Sequence, residues 1–214
     1  VSPEKFLLGE VWEDATTKEA FGRRRTYLRG KGLDAVMNYP FRTALIAYLR
    51  GGDADDFRET LETLRENYPP EAFLSLMNFL GTHDTPRILT VLGADNVPDN
   101  KADRAAYRLS PAQRQIGLER LRLAALILFT FPGAPTVYYG DEAGLCGWTD
   151  PDNRRTYPWG REDQNLIQYH RDIIAIHKEE EALMKGSLKY LYGGFKVLGY
   201  GRFTDTENCL LYTS

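Results

Sequence analysis

Several acidic and imidazole side chains directly follow short apolar runs, a placement that suits acid–base chemistry. Glu10 ends one such run, and His83 and Asp84 follow another. Asp141 and Glu142 end a third. A carboxyl group in such a place can transfer a proton to a bound substrate, and an imidazole can donate a hydrogen bond to it. The alternative is structural, since a solvated acid often begins a loop and a His-Asp pair often caps a turn.

Strand-like and helix-like segments alternate along most of the chain. The predicted strands are residues 6–10, 33–39, 73–78 and 135–142. The predicted helices are 40–50, a helix capped by Asp53, a helix from Ser110-Pro111 that stops before Pro132, and a helix from Leu166 to near Lys178. Apolar strands that alternate with helices favour parallel βαβ units, with ligands at the carboxyl ends of the strands.

The pattern changes at Gly186, where short strand-like segments are separated by Gly-Gly and Asp-Thr-Glu turns. This change predicts the start of a separate antiparallel β domain. An eight-stranded barrel needs roughly 200 to 250 residues, so four units are too few for one. The residues alone leave two alternatives: a smaller open α/β fold, or the second half of a barrel.

The composition is that of an ordinary globular chain, with 214 residues, 27% of them charged, and a formal net charge of -3. This balance offers no basic face for nucleic acid. The longest apolar run, residues 121–131, is too short to span a membrane. Cys146 and Cys209 are expected to be reduced, with one disulfide as the alternative. We expect no cofactor or metal, because no oxygen-ligand cluster has calcium spacing, although calcium stays an open alternative.

Four collinear segments that cover essentially the whole chain resemble one family. They are 8–15 (Leu-Gly-Glu-Val-Trp-Glu-Asp-Ala), 34–40 (Asp-Ala-Val-Met-Asn-Tyr-Pro), 78–87 (Asn-Phe-Leu-Gly-Thr-His-Asp-Thr-Pro-Arg) and 133–142, the last followed by 150–155 (Asp-Pro-Asp-Asn-Arg-Arg). Together they resemble the α-amylase family of glycoside hydrolases, specifically its neopullulanase, cyclomaltodextrinase and maltogenic amylase branch.

The resemblance implies an α/β fold that is a partial TIM (β/α)8 barrel. Residues 1–185 would supply strands five to eight, and residues 186–214 the truncated start of a C-terminal β-sandwich domain. The family's nucleophilic aspartate lies in a Gly-x-Arg-x-Asp segment on the fourth strand, and this chain contains no such segment. The family's early Asp-x-x-x-Asn-His block is absent too. Both ends are therefore expected to be cuts within a longer protein.

The resemblance also implies roles for individual residues. Glu10 would be the catalytic acid/base, with Glu13 and Asp14 as less favoured alternatives. Asp84 would be the family's third acid, which binds sugar hydroxyls and favours a distorted ring, and His83 would donate to the same sugar.

Further substrate-binding residues are expected around these. Arg87 would position carboxylates, with a surface salt bridge as the alternative. Aromatic rings can pack on the CH face of a sugar, which makes candidates of Trp12, Tyr39, Tyr157 and Trp159, with core packing equally favoured for each. Asp150, Arg154 and Arg155 suit sugar hydroxyls, although the two arginines could equally anchor their own loop.

The sequence thus predicts a fragment of a retaining hydrolase that cleaves α-1,4 bonds of α-glucan oligosaccharides, with α-1,6 bonds or cyclodextrins as further targets. Without its nucleophile the chain alone is expected to be inactive. The rival hypothesis is a non-catalytic α-glucan-binding or scaffolding module, and a third is an unrelated α/β domain. We expect no nucleic-acid or membrane partner, self-association through the edges of a half barrel, and a cytoplasmic rather than a secreted location.

Overall fold

The computed structural model describes residues 5–30 and 32–213. The first residue of the predicted barrel domain, Val1, and the last residue of the predicted β domain, Ser214, lie outside the described residues. The chain divides into two compact units, each treated by itself below. The first unit comprises residues 1–79, 131–136 and 182–214, and the second comprises 80–130 and 137–181. The domain boundary at 185/186 stays a prediction, but residues beyond it share a compact unit with the first strands.

Four short strands of the first unit lie side by side and run parallel to one another. The strands of the chain are β1 (Leu8–Gly9), β2 (Glu19–Ala20), β3 (Arg23–Arg24), β4 (Ala35–Val36), β5 (Met77–Phe79), β6 (Ala134–Thr136), β7 (Ser187–Gly194), β8 (Val197–Phe203) and β9 (Asn208–Thr213). β1 pairs with β4 and β5 pairs with β6, all in parallel, and a parallel bridge between Met37 and Met77 joins the two pairs. The predicted parallel arrangement is confirmed.

The four predicted helices are all observed, and the described residues contain four further short α-helices that were not predicted. The helices are α1 (Tyr39–Leu49), α2 (Ala54–Asn67), α3 (Pro70–Leu74), α4 (Ile88–Gly93), α5 (Lys101–Ala106), α6 (Pro111–Thr130), α7 (Gln164–Glu179) and α8 (Glu181–Lys185). The side chain of Asp53 accepts a hydrogen bond from the backbone of Asp55, so it caps α2 as predicted. Ser110 and Gln113 exchange hydrogen bonds at the start of α6, which is a reciprocal capping box.

The antiparallel sheet β7-β8-β9 is confirmed and packs within the first unit. β7 and β8 contact α2, while the Tyr48 hydroxyl on α1 donates to the Lys196 carbonyl at 2.8 Å. The rings of Phe41 and Tyr200 both contact Phe131, and all three side chains are fully buried. These aromatic contacts join helix and sheet in one apolar core, because buried ring area removed from water is a strong stabilising term.

A chain of buried amides fixes the carboxyl ends of the parallel strands. Asn38 Nδ2 donates to Asn78 Oδ1 at 2.8 Å, and Asn78 Nδ2 donates to the Pro132 carbonyl at 2.9 Å. Asn38 Oδ1 also accepts from the backbone of α1. At Gly133 (φ 129°) a Cβ atom would stand 2.5 Å from Asn78 Nδ2, so only glycine allows this approach. These two polar residues at the strand ends hold the strands together instead of facing a ligand.

Two predicted strands are corrected by the structure. In the stretch 73–78, residue Phe73 lies in α3, and the strand begins only at Met77. A Pro69-Pro70 pair starts a short helix there, since proline is preorganised for the first helical position. In the stretch 135–142 the strand ends at Thr136, and the chain turns at Gly140, whose φ of 84° is not a strand conformation.

The second unit is built on α6, whose face carries α4 and α7. The Tyr169 hydroxyl on α7 donates to the Arg122 carbonyl of α6 at 2.9 Å, and Arg120 Nη1 donates to the Leu92 carbonyl of α4 at 2.7 Å. Polar loops around residues 80–87 and 137–163 extend from this helical framework. In the described part of the chain, no helix has both the length and the apolar character needed to cross a membrane.

Candidate active site

Glu10 stands at the end of β1, held by two neutral donors. Trp12 Nε1 donates to Glu10 Oε1 at 3.1 Å, and the Tyr39 hydroxyl donates to the same oxygen at 3.2 Å. The carboxyl group is exposed. Because Tyr39 begins α1 directly after the neighbouring strand β4, the parallel pairing of β1 with β4 brings this hydroxyl to the carboxyl group.

The rings beside Glu10 differ in accessibility. Trp12 stacks on Tyr39 with centroids 4.1 Å apart, and Tyr39 meets Phe79 edge to face at 4.8 Å. Trp12 is 52% exposed, which leaves a ring face for a sugar, but Tyr39 is only 4% exposed. The enclosed ring of Tyr39 fits the alternative of core packing, with its hydroxyl directed at Glu10, and a role of Tyr39 in substrate binding stays a prediction.

The less favoured acids beside Glu10 have local structural tasks. Glu13 pairs with Lys18 at 2.5 Å, and this hydrogen bond lowers the pKa of the Glu13 carboxyl below its ordinary value. Asp14 Oδ1 accepts hydrogen bonds from the backbone and hydroxyl of Thr16. Glu10 is therefore the member of this group whose carboxyl is directed at aromatic donors.

In the second unit, four of the predicted site residues form one charged cluster. Arg154 Nη2 lies 3.1 Å from Asp84 Oδ1, and Arg154 Nε lies 3.2 Å from Asp150 Oδ1. The imidazole of His83 lies 3.2 Å from the other Asp84 oxygen. All four side chains keep a third or more of their surface exposed. The cluster thus presents two carboxylates, a guanidinium and an imidazole to solvent, and each of these groups can form hydrogen bonds with sugar hydroxyls.

Three residues that the sequence did not single out hold the His83-Asp84 turn. Thr82 Oγ1 accepts from the Asp84 backbone at 3.2 Å, and Thr85 Oγ1 accepts from the Thr82 backbone at 2.9 Å. Buried Asn153 donates to the His83 and Thr85 carbonyls at 2.7 and 2.9 Å. The Thr-x-x-Thr spacing around the His-Asp pair is the signal that could have found two of them.

Arg87 is buried against a carboxylate, which fits the expected role of positioning carboxylates, and its part in substrate binding stays a prediction. It is 1% exposed, its Nη1 lies 3.2 Å from Asp141 Oδ1, and it also donates to the Tyr139 carbonyl. Its guanidinium lies over the rings of Tyr138 and Tyr139, at 4.3 and 4.5 Å from their centroids. Arg87 therefore positions the segment that follows β6. The absence of a side chain at Gly81 leaves room for Asp141, since a Cβ there would be 2.4 Å from Asp141 Oδ2.

Trp159 stays apart from the charged cluster in the contacts observed. It is 79% exposed and touches Tyr157, with ring centroids 4.5 Å apart. Arg155 turns to Asp152, 2.6 Å away, so the second arginine of the Arg-Arg pair anchors its own loop. Trp159 remains a candidate sugar platform by exposure alone.

Among the described residues, no three His, Cys, Asp or Glu side chains are grouped so as to hold a metal ion. His170 and His177 bond through Nδ1 to separate backbone carbonyls, those of Leu166 and Phe129. Burial lowers the pKa of His170 below its ordinary value. Both cysteines are free, in agreement with the prediction.

The two groups can thus contribute different chemistry. Glu10 is a carboxyl group beside an exposed indole, where it can exchange a proton with a bound sugar. Asp84, His83, Asp150 and Arg154 form a polar surface that can accept and donate hydrogen bonds. Glu10 belongs to the first unit and the charged cluster to the second.

Comparisons with known proteins agree on one family. Residues 1–186 match the family model described as the alpha amylase catalytic domain. An amylopullulanase of Thermoanaerobacter thermohydrosulfuricus is 37% identical over 94% of this chain and 13% of its own length. A cyclomaltodextrinase of Geobacillus thermopakistaniensis (strain MAS1) is 33% identical over 99% of this chain and 32% of its own length.

Solved structures carry the same fold. The native form of the Nostoc punctiforme debranching enzyme superposes with a TM-score of 0.79 at 30% identity. The match covers 99% of this chain and 41% of that enzyme. The predicted partial barrel and family resemblance are confirmed. The chain spans well under half the length of each of these three relatives.

Proposed function

This chain belongs to the α-amylase family of glycoside hydrolases, and we propose that it forms part of a retaining active site for α-glucans. The observation that carries the proposal is the Glu10 carboxyl at the end of β1, held by Trp12 and Tyr39 next to an open indole face. A proton donor beside a sugar-stacking ring is what cleavage of a glycosidic bond needs.

In the proposed mechanism Glu10 protonates the oxygen of the leaving sugar while a second carboxylate attacks the anomeric carbon. Glu10 then takes a proton from water, which releases the sugar from the covalent intermediate. The two carboxyl groups of a retaining site stand about 5 to 5.5 Å apart. Tyr39 and Trp12 keep one Glu10 oxygen oriented, which leaves the other oxygen to face the scissile bond.

The charged cluster is proposed to bind a sugar unit of the α-glucan. Asp84 would accept hydrogen bonds from its hydroxyls, and His83 would donate one. Arg154 holds the Asp84 carboxylate in place, and hydrogen bonds that grow stronger as the ring flattens would favour the transition state.

We further propose that the attacking carboxylate is supplied by a part of the longer protein outside this chain. In that protein residues 1–185 would be the second half of the catalytic barrel, and residues 186–214 would open the next domain. The chain by itself is then inactive, because double displacement needs a nucleophile. The alternative role, a glucan-binding module without chemistry, does not require an acid in the position of Glu10.

The proposed substrates are α-1,4-linked oligosaccharides and cyclodextrins, with α-1,6 bonds as a further target. Relatives named amylopullulanase and cyclomaltodextrinase support this class. Self-association of the chain is proposed as well. β1 and β6 are the outer strands of the parallel set, and among the described residues each has one strand partner. A compact monomer in light scattering would contradict this last point.

The first test is turnover by the purified chain. Incubation with maltotriose, cyclodextrin and pullulan is expected to release no reducing sugar. Clear turnover that disappears in Glu10→Gln would show that the nucleophile lies within the chain, against the proposal.

The second test uses the longer protein that contains a Gly-x-Arg-x-Asp segment. Glu10→Gln is expected to lower kcat/KM on maltotriose by about 10²- to 10⁴-fold, the usual contribution of a general acid. The loss should be much smaller with α-glucosyl fluoride, because fluoride leaves without protonation. Glu13→Gln is the matched control and should keep full activity. Equal losses on both substrates would reject Glu10 as the proton donor.

A further inference from the structure

A cavity of about 650 Å³ in the second unit is lined by arginines. Its lining residues include four arginines and a cysteine: Arg108, Arg114, Arg155, Arg161 and Cys146. No aspartate or glutamate is among the lining residues described. A volume between roughly 300 and 1,000 Å³ is typical of a small-molecule site.

Two of the four cations have acidic partners and two do not. Arg155 pairs with Asp152 at 2.6 Å, and Arg114 pairs with Asp163 at 3.3 Å. Arg108 Nη1 donates to two neutral backbone carbonyls, at 2.9 and 2.7 Å. The Arg161 side chain is exposed, and within residues 5–30 and 32–213 no carboxylate within ion-pair distance is recorded for Arg108 or Arg161. The cavity therefore carries an excess of two positive charges.

We propose that this cavity binds a phosphate dianion, either inorganic phosphate or the phosphate monoester of a sugar. Guanidinium groups match phosphate oxygens with paired hydrogen bonds. A phosphate monoester carries close to two negative charges near neutral pH, which equals the excess charge of the wall. Arg154 turns to Asp84, whereas its neighbour Arg155 lines this cavity, so the two arginines serve separate sites. The proposal does not depend on the proposed hydrolase function.

Cys146 provides a built-in reporter of occupancy. Its sulfur lies 3.8 Å from Arg114 Nη1. Burial raises the pKa of the Cys146 thiol, and the nearby Arg114 opposes this rise. A bound phosphate would cancel the effect of the arginines and cover the sulfur, which slows alkylation, because the thiolate is the reactive form. Cys209, the other cysteine, lies in β9 of the first unit and serves as the internal reference.

The experiment is calorimetric titration of the full chain with inorganic phosphate and with glucose 6-phosphate, with chloride added to keep the ionic strength constant. Both ligands are expected to bind saturably. Arg108→Gln/Arg161→Gln should weaken binding by at least about tenfold, because both unpaired cations are lost. Lys178→Gln/Lys189→Gln removes two exposed charges elsewhere and should leave the affinity unchanged. Circular dichroism checks that both double variants fold.

Each outcome decides the point. Tighter binding of glucose 6-phosphate than of phosphate identifies a sugar monoester as the ligand. Equal or weaker binding of glucose 6-phosphate means that the cavity recognises the phosphate group itself. Phosphate should also slow iodoacetamide modification of Cys146 but not that of Cys209. Absence of saturable binding, equal weakening in the lysine variant, or equal protection of both cysteines would overturn the proposal.

Discussion

Glu10 and Asp84 are held in opposite ways. Glu10 receives hydrogen bonds from an indole and a phenol, both neutral, and the phenol belongs to a buried aromatic stack. Asp84 is held by a guanidinium and an imidazole, and the same guanidinium reaches Asp150. One carboxyl group depends on ring packing and the other on charge.

The difference extends to the units that carry them. The first unit fixes its strand ends with neutral amides, whereas the second encloses the Arg87–Asp141 pair and contains all three histidines of the chain. Charge pairs respond to salt and pH, while ring packing and amide hydrogen bonds respond to neither in the neutral range. Glu10 and the charged cluster should therefore respond to different perturbations.

The largest effect is expected from Arg87→Met, which leaves the Asp141 carboxylate buried after its guanidinium is gone. Loss of one partner of a buried ion pair costs about 3 to 5 kcal/mol of unfolding free energy, which corresponds to a fall in Tm of roughly 10 °C. Denaturant titration and calorimetry measure both. The double variant Arg87→Met/Asp141→Leu should recover most of the loss, and failure to recover any would show that the guanidinium acts mainly through Tyr138 and Tyr139.

Arg154→Gln should weaken glucan binding with little effect on stability, because the Arg154 side chain is 45% exposed. The affinity for maltotriose and cyclodextrin, measured by calorimetry, is expected to fall about tenfold as Asp84 and Asp150 lose their shared cation. Arg171→Gln, an exposed arginine on α7, is the charge-matched control. Equal losses in the two variants would mean that net charge matters, and not the position of Asp84.

Tyr39→Phe tests the neutral side of the comparison. The change removes one donor to Glu10 and keeps the stacked ring. In the proposed longer protein, kcat should therefore fall about three- to tenfold, the effect of about 1 kcal/mol. Tyr212→Phe, which alters an exposed hydroxyl of β9, should leave kcat unchanged. A loss as large as that of Glu10→Gln would argue that Tyr39 itself transfers a proton.

The smallest effect is a pH dependence confined to the second unit. Burial lowers the folded pKa of His170 below its ordinary value of 6.5, so the unfolded state binds more protons below that pH. The stabilising contribution of neutral His170 is therefore complete above about pH 6.5. It is lost as the pH falls from 6.5 through the folded pKa. The hydrogen-exchange protection factors of α7, which correct for the slower intrinsic exchange at lower pH, should fall several-fold on mild acidification. Those of β8, a strand of the first unit without a histidine, should not change. His170→Gln should remove the effect; an unchanged response would assign it to another group.

The sequence was enough to predict the four parallel strands, the four longer helices and the family, and to single out Glu10 and each member of the charged cluster. Motif position singles out Glu10 and Asp84 soon after predicted strands, and Arg154 in the loop segment 150–155. Burial was harder to predict. Tyr39 and Arg87 have residue types typical of sugar sites. A pattern along the chain does not reveal that Tyr39 packs against Phe79, or that Arg87 lies over Tyr138 and Tyr139. Asn153 was missed for a related reason, since its partners lie about 70 residues away in the chain.

The first unit is assembled from three separated stretches, and this matters when the chain is being made. Its helices α1 and α2 emerge early, yet the sheet that covers them lies beyond residue 186, and the Tyr48 hydroxyl finds Thr213 only at the end of β9. At a synthesis rate of about 5 to 20 residues per second, the intervening stretch takes on the order of ten seconds to emerge. During that interval the apolar faces of α1 and α2 stay exposed to solvent. The second unit, in contrast, can fold as soon as α7 leaves the ribosome.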